Sequence, residues 1–194
     1  MINIRAAENK DVPKIVQIHL ERFSSFFLST LGKGFLTTFY RSFLKTKAVL
    51  LVIEDEGEIK GFAAGSLSNR GFFKNLVKNN FLDFCVRGFL LLFSKPSALV
   101  RMFSNANKAE KNNVTFAELL SIATFKNSKG YGKQLLDAFE REVRKATNSS
   151  VPISLTTDVD NNDKAITFYK DCGYQVLEEF ESYQGRRMYR FIKN

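Results

Sequence analysis

The 194-residue chain carries a formal net charge of +9, and 44% of it is hydrophobic; this length suits one domain, whose core needs neither disulfides nor metal staples. The basic residues are scattered, and no nucleic-acid recognition motif accompanies them. The charge therefore fits an anionic small ligand better than a nucleic acid, which is excluded as the leading partner class.

The two cysteines, Cys85 and Cys172, have neither metal-ligand nor framework spacing, which argues for a reducing compartment and against a metal site. The opening stretch Met1-Ile2-Asn3-Ile4-Arg5 lacks a leader pattern. The most apolar run, Phe84 to Phe93, is interrupted by Arg87 and is too short to cross a bilayer. A cytoplasmic protein is expected.

Ile2 to Arg5 alternates and predicts a short strand. Asp11, with Pro13 behind it, marks a helix start with Asp11 as N-cap, and Val12, Ile15, Val16 and His19 follow at helical spacing. His19, the only histidine, reads as a plain helix residue far from any chemistry. A second helix is predicted over Gly34 to Lys45, with Phe35, Phe39 and Phe43 on one face. Ala48 to Glu54 and Ile59 to Leu67 predict a hairpin turned at Glu56-Gly57.

From residue 70 to residue 110 the pattern changes. Phe72, Phe73, Leu76, Val77, Phe81 and Phe84 are spaced as in a helix, and a second apolar run breaks at Pro96. A helical insertion between the third and fourth strands is expected. Phe116 to Thr124 then predicts a strand, followed by an amphipathic helix carrying Leu135, Leu136, Phe139 and Val143. Ile153 to Thr157 is the next strand and Asp163 to Asp171 a short helix. Tyr174 to Glu181 and Arg186 to Ile192 close the chain as a hairpin around Gln184-Gly185. This alternation predicts an α/β fold with helices on both faces of one sheet, as a single domain over 1–194.

The loop Asn127-Ser128-Lys129-Gly130-Tyr131-Gly132 joins a strand to a helix. The first turn of that helix exposes N–H groups with no intrahelical partner, at the positive end of the helix dipole. Glycine lets an anion approach the backbone closely, and Lys126, Lys129 and Lys133 add positive charge, so a phosphate site is expected here. Two glycines ahead of a helix are also ordinary loop geometry, and the loop by itself does not decide between the readings.

The loop follows Ala117-Glu118-Leu119-Leu120-Ser121-Ile122-Ala123-Thr124 and opens Gly132-Lys133-Gln134-Leu135-Leu136. Downstream stands Asn162-Asp163-Lys164-Ala165-Ile166-Thr167-Phe168-Tyr169-Lys170-Asp171-Cys172-Gly173-Tyr174. Together, in this order, these segments resemble the GCN5-related N-acetyltransferase (GNAT) superfamily over about Ala117 to Tyr174. Two departures stand out: Asn127 replaces the usual Gln or Arg, and the lead-in from Thr124 to Gly130 is shorter than usual.

The resemblance implies a mixed, mostly antiparallel central sheet flanked by helices. It also implies acetyl-CoA as donor substrate, with no metal, and direct transfer to an amine in a ternary complex. It places Asn127, Lys129, Gly130, Tyr131, Gly132 and Lys133 at the pyrophosphate. Ile122, Ala123 and Thr124 are expected at the pantetheine arm and thioester oxygen, and Asn162, Phe168 and Tyr169 along the CoA arm. Asn162 also reads as a helix N-cap.

Tyr169 is the candidate general acid, because a phenol titrates near ~10 and stays protonated while a thiolate near ~8.5 leaves; ring packing on the sheet is the alternative. Glu118 is the candidate base, expected on one strand face with Leu120 and Ile122; a structural salt bridge is equally open. Asp158 and Asp160, at a strand end, are alternative bases.

The insertion mixes Phe and Leu with Lys74, Lys78, Arg87, Lys95 and Arg101. It reads as an acceptor-side lid with packing, ahead of membrane-surface contact or a homodimer contact. The leading acceptor is a small-molecule amine, with an amino sugar as one form. A peptide or protein amine is the second class, and a non-catalytic CoA-binding module the alternative from outside enzymology.

Overall fold

A computed structural model of the chain describes residues 1–72, 115–126, 128, 130–147, 151–182 and 185–194. The insertion expected over 70–110 lies outside the described residues from 73 onward, and with it the lid, membrane-surface and dimer-contact readings.

The described strands are β1 (Asn3–Ala6), β2 (Ala48–Asp55), β3 (Glu58–Ser66), β4 (Ala117–Thr124), β5 (Ile153–Asp158), β6 (Gln175–Glu181) and β7 (Arg187–Lys193). Helices α1 (Val12–Arg22), α2 (Phe27–Thr30) and α3 (Gly32–Phe43) follow β1, α4 (Tyr131–Thr147) follows β4, and α5 (Asp163–Asp171) follows β5. The strands form one sheet in the order β1-β2-β3-β4-β5-β7-β6. Every pairing is antiparallel except β4–β5, the pair whose connection runs through a helix. The described part is therefore the mixed, mostly antiparallel sheet flanked by helices that the sequence predicts.

Alternation along the strands builds two cores. Leu50 and Val52 of β2, with Phe62 and Ala64 of β3, meet Val12, Ile15, Val16, Phe35, Leu36, Phe39 and Tyr40 of α1 and α3. Val49, Leu51, Ile53 and Ala63 face the other way, toward Leu135, Leu136, Phe139 and Val143 of α4. The helical periodicity of Phe35, Phe39 and Phe43 thus becomes one buried face, on which the Phe39 and Phe43 rings meet edge to face with centroids 5.1 Å apart. Gly65 allows α4 to pack this closely, since a β-carbon there would lie 2.5 Å from the Phe139 ring and 2.3 Å from the Glu118 carbonyl oxygen.

Asp11 does not cap α1 with its side chain. Its carboxylate accepts from Arg5 Nη1 at 2.6 Å and from the Glu8 N–H at 2.7 Å. Arg5 also reaches Glu54, so Asp11 ties β1 to the 3-10 turn Asn9–Asp11 and Arg5 to β2. The bidentate guanidinium outcompetes the helix terminus for the carboxylate and holds its pKa below the ordinary range.

Two irregularities in β4 shape the centre of the molecule. Ala64 pairs with Ser121 but Gly65 pairs with Leu119, so Leu120 is the extra residue of a β-bulge. The bulge flips the face phase of the strand. Leu119 and Ile122 pack toward α4, while Leu120 and Ala123 pack toward α1 and α3. Glu118 therefore does not share a face with Ile122, as unbroken alternation would require. In addition, β4 and β5 pair only from Ala117↔Ile153 to Leu119↔Leu155. Beyond that point β4 continues against β3 to Thr124, and β5 continues against β7 to Asp158, so the two parallel strands part.

Candidate active site

The parting of β4 and β5 opens a cleft of about 780 Å³ through the sheet. Leu119, Leu120, Ser121 and Ile122 line one wall, and Leu155, Thr156 and Thr157 the other. On that side, the N–H and C=O groups of β4 past Leu119 have no ladder partner in β5. A backbone edge in this state is a set of hydrogen-bonding groups waiting for an extended ligand.

Past the end of β4 the chain turns into α4. Gly130 has φ +82°, a conformation that glycine adopts without cost, and it turns the chain into the helix. The helix ladder begins with Gln134 N–H on the Gly130 carbonyl, at 3.2 Å. The Gly132 N–H has no backbone acceptor among the described residues. Tyr131 points its side chain away, its hydroxyl donating to Asp55 at 2.6 Å. Lys133 runs along the helix surface to Asp137 at 3.3 Å. Tyr131 and Lys133 thus present backbone rather than side chains at the helix start. Asn127 and Lys129 lie outside the described residues, and so does the departure from the family pattern that Asn127 represents.

The second motif folds against the first. A β-carbon on Gly132 would sit 3.9 Å from Phe168 Cζ. Asn162 occupies the N-cap position of α5 without capping it. Its amide Nδ2 donates instead to Thr157 Oγ1 at 2.6 Å and to the Asp158 carbonyl at 3.3 Å, tying the end of β5 to α5. Asn162 also lines the cleft, as does Tyr169. The Tyr169 ring packs on Tyr174 and Phe191, with centroids 6.0 and 5.9 Å apart. Burial pushes its phenol up to about 12, so it is protonated throughout the neutral range. The packing and acid readings of Tyr169 are thus compatible: the ring is braced, and it lines the cleft.

Glu118 lies just before the split, paired with Ser154, on the face toward α1 and α3, and its carboxylate is 3.5 Å from Arg190 Nη1. Burial raises its pKa and the guanidinium offsets part of that rise. Ile122 and Thr124 are half-buried on β4, and Ala123 is buried in the core beneath α1 and α3. Of the alternative bases, Asp158 is locked in a two-pronged pair with Arg186, and Asp160 pairs with Arg187 at 3.3 Å.

Several cleft residues escape a local reading of the sequence. His19, expected to lie apart, lines the cleft wall with Nδ1 2.6 Å from the Tyr40 hydroxyl, and Tyr40 also bonds to Ser121. Burial lowers its pKa to about 4, leaving a neutral ring. Phe23 and Phe26 approach from the segment between α1 and α2, while Glu178 comes from β6, Arg190 from β7 and Arg186 from just before it. The only local hint of Arg186 and Arg190 is that they stand four residues apart, and so at one alternation phase, in the closing segment. Among the described residues, no group of three or more His, Cys, Asp or Glu side chains is arranged to hold a metal. No helix among them is long and apolar enough to cross a membrane.

The model of the acetyltransferase (GNAT) family matches residues 13–174. No curated protein matches the sequence. Solved structures similar in fold include an N-acetyltransferase from Staphylococcus aureus Mu50, 20% identical with a TM-score of 0.67, covering 98% of this chain and 100% of that one. A putative acetyltransferase from Salmonella typhimurium, solved with its cofactor acetyl-CoA, is 14% identical with a TM-score of 0.64, covering 100% and 94%. An Arabidopsis thaliana protein in complex with the bisubstrate analogue CoA-Ac-MVNAL is 12% identical with a TM-score of 0.60, covering 100% and 98%.

Proposed function

The chain belongs to the acetyltransferase (GNAT) family, and on that premise we propose that it moves an acetyl group from acetyl-CoA to a primary amine of a small molecule. The observation that carries this reading is that one cleft, opened where β4 and β5 part, is lined by both Glu118 and Tyr169. The chain works as one acetyltransferase domain.

The cleft suits the donor. The Gly132 N–H, without a backbone acceptor among the described residues at a helix start, supports pyrophosphate binding, and the edge of β4 unpaired with β5 supports an extended, amide-bearing arm. Gly130, Tyr131, Gly132 and Lys133, with Asn127 and Lys129, hold the phosphates. Ile122, Ala123 and Thr124, with Asn162 and Phe168, align the arm. Acetyl-CoA supplies the acetyl group as an activated thioester.

Glu118 accepts the proton that makes the acceptor amine nucleophilic, directly or through water, and Tyr169 donates a proton to the departing thiol sulfur. Attack is direct, within a ternary complex.

A peptide amine is the second reading. It is favoured by the fold likeness to the Arabidopsis thaliana protein bound to CoA-Ac-MVNAL. Thiol release from acetyl-CoA is followed with glucosamine, spermidine and a short peptide bearing a free N-terminus. Release with either small amine supports the proposal, and release with the peptide alone replaces it with the second reading. If acetyl-CoA fails to raise the melting temperature, the donor assignment falls.

A further inference from the structure

Arg190 has surroundings that an ordinary surface arginine lacks. It is only 14% exposed and sits within 5.3 Å of the Phe116 ring centroid and 5.5 Å of the Phe180 centroid. Its Nε donates to Glu178 Oε1 at 2.9 Å, and its Nη1 lies 3.5 Å from Glu118 Oε1. One guanidinium therefore serves two carboxylates from two strands, while two aromatic faces fix its plane.

We propose that Arg190 is a positioning residue for the transfer reaction: clamped between Phe116 and Phe180 and anchored by Glu178, it holds the Glu118 carboxylate on the cleft wall, and Glu178 sets how much of its charge Glu118 receives. The inference rests on the reading of Glu118 as the base.

The groups around Glu118 leave Arg190 as its one cationic partner among the described residues. Ser66 of β3 and Ser154 of β5 stand directly across from it in register, and both hydroxyls are buried without a hydrogen-bond partner among the described residues. The other titratable groups lining the cleft are His19 of α1, Tyr169 of α5, Glu178 and Glu181 of β6, and Arg186 before β7. Arg186 is committed to Asp158, and His19 is neutral. Burial raises the Glu118 pKa and so disfavours the charged form a base needs, and the nearby guanidinium opposes that rise. Glu178 competes for the same guanidinium, so Arg190 and Glu178 act on Glu118 with opposite signs.

The test is the acid limb of the kcat/KM pH profile for the full chain, with acetyl-CoA and whichever of glucosamine, spermidine or the short peptide releases thiol fastest. Using one amine throughout cancels its own ionisation. Arg190→Met moves the limb to higher pH by roughly one unit or more. Arg190→Lys restores part of that shift, and Glu178→Gln moves the limb to lower pH. A limb that stays at the wild-type pH in both Arg190→Met and Glu178→Gln overturns the inference. Glu178 is partly exposed, so its variant keeps the test usable if Arg190→Met does not fold. Glu118→Gln separates the two failures: if it keeps the wild-type rate and profile, the base assignment itself is wrong.

Discussion

Gly132 lies directly against Phe168, with a β-carbon on the glycine placed 3.9 Å from Cζ of the ring. Two motifs more than thirty residues apart in the chain thus meet at the start of α4. The contact is an ordinary van der Waals distance, so among the described residues nothing crowds a β-carbon there, and the proposed phosphate site gives the glycine its use. Gly132→Ala is expected to leave the melting temperature of the free protein unchanged and to weaken acetyl-CoA binding by about tenfold, measured by titration calorimetry. Gly130→Ala should behave differently, because φ is +82° there: it costs roughly 1–2 kcal/mol of stability whether or not acetyl-CoA is present.

Tyr169→Phe keeps the ring that packs on Tyr174 and Phe191 and removes only the hydroxyl. Turnover should fall by roughly 100-fold or more while the acetyl-CoA dissociation constant stays put. With the phenol held up at about 12, the wild-type profile should show no basic limb from this group below pH 10 or so. A Tyr169→Phe enzyme with unchanged turnover removes the residue from the mechanism and leaves it a packing role.

His19, the only histidine, makes a clean probe. Its folded pKa is pushed down to about 4 from 6.5 by burial. Between those values the unfolded chain binds a proton that the folded chain does not. The stability of the neutral buried ring is therefore fully present above about pH 6.5 and is lost as pH falls toward 4, on the order of 3 kcal/mol in all. Denaturant melts at pH 7 and pH 5 should show the drop, and His19→Gln should flatten it. A ring that titrates near 6.5 by NMR in the folded protein contradicts the burial argument.

Gly65 sits where any side chain would strike the Phe139 ring and the Glu118 carbonyl. Gly65→Ala should cost roughly 1–3 kcal/mol of stability by overpacking, read as a lower denaturation midpoint. Because the clash includes the backbone of Glu118, activity should fall further than stability alone explains. Equal losses in both would mean that only the packing was disturbed.

Much of the fold is legible in local spacing. Phe35, Phe39 and Phe43 mark a helix face, and Leu135, Leu136, Phe139 and Val143 mark another, because helical periodicity is written in neighbours three and four positions apart. The loop at Gly130-Tyr131-Gly132 and the segment Asn162 to Tyr174 are equally local, and they carry the family resemblance. The N-cap expected at Asp11 fails for a tertiary reason, since Arg5 draws the carboxylate into a clamp with Glu54 of β2.

The sequence by itself determined the element order, the glycine-rich start of α4, and the pair of motifs that name the family. Only the tertiary structure decided which side chains share the cleft. A single extra residue at Leu120 reverses the facing of β4, so Ile122 leaves the face that holds Glu118. The pairing of β5 with β7 brings Arg190 from the end of the chain to within 3.5 Å of Glu118, and the fold of α1 against the sheet brings His19 to the same wall. Bulges and cross-strand register depend on partners distant in sequence, and a one-residue shift in either moves every side chain to the opposite face.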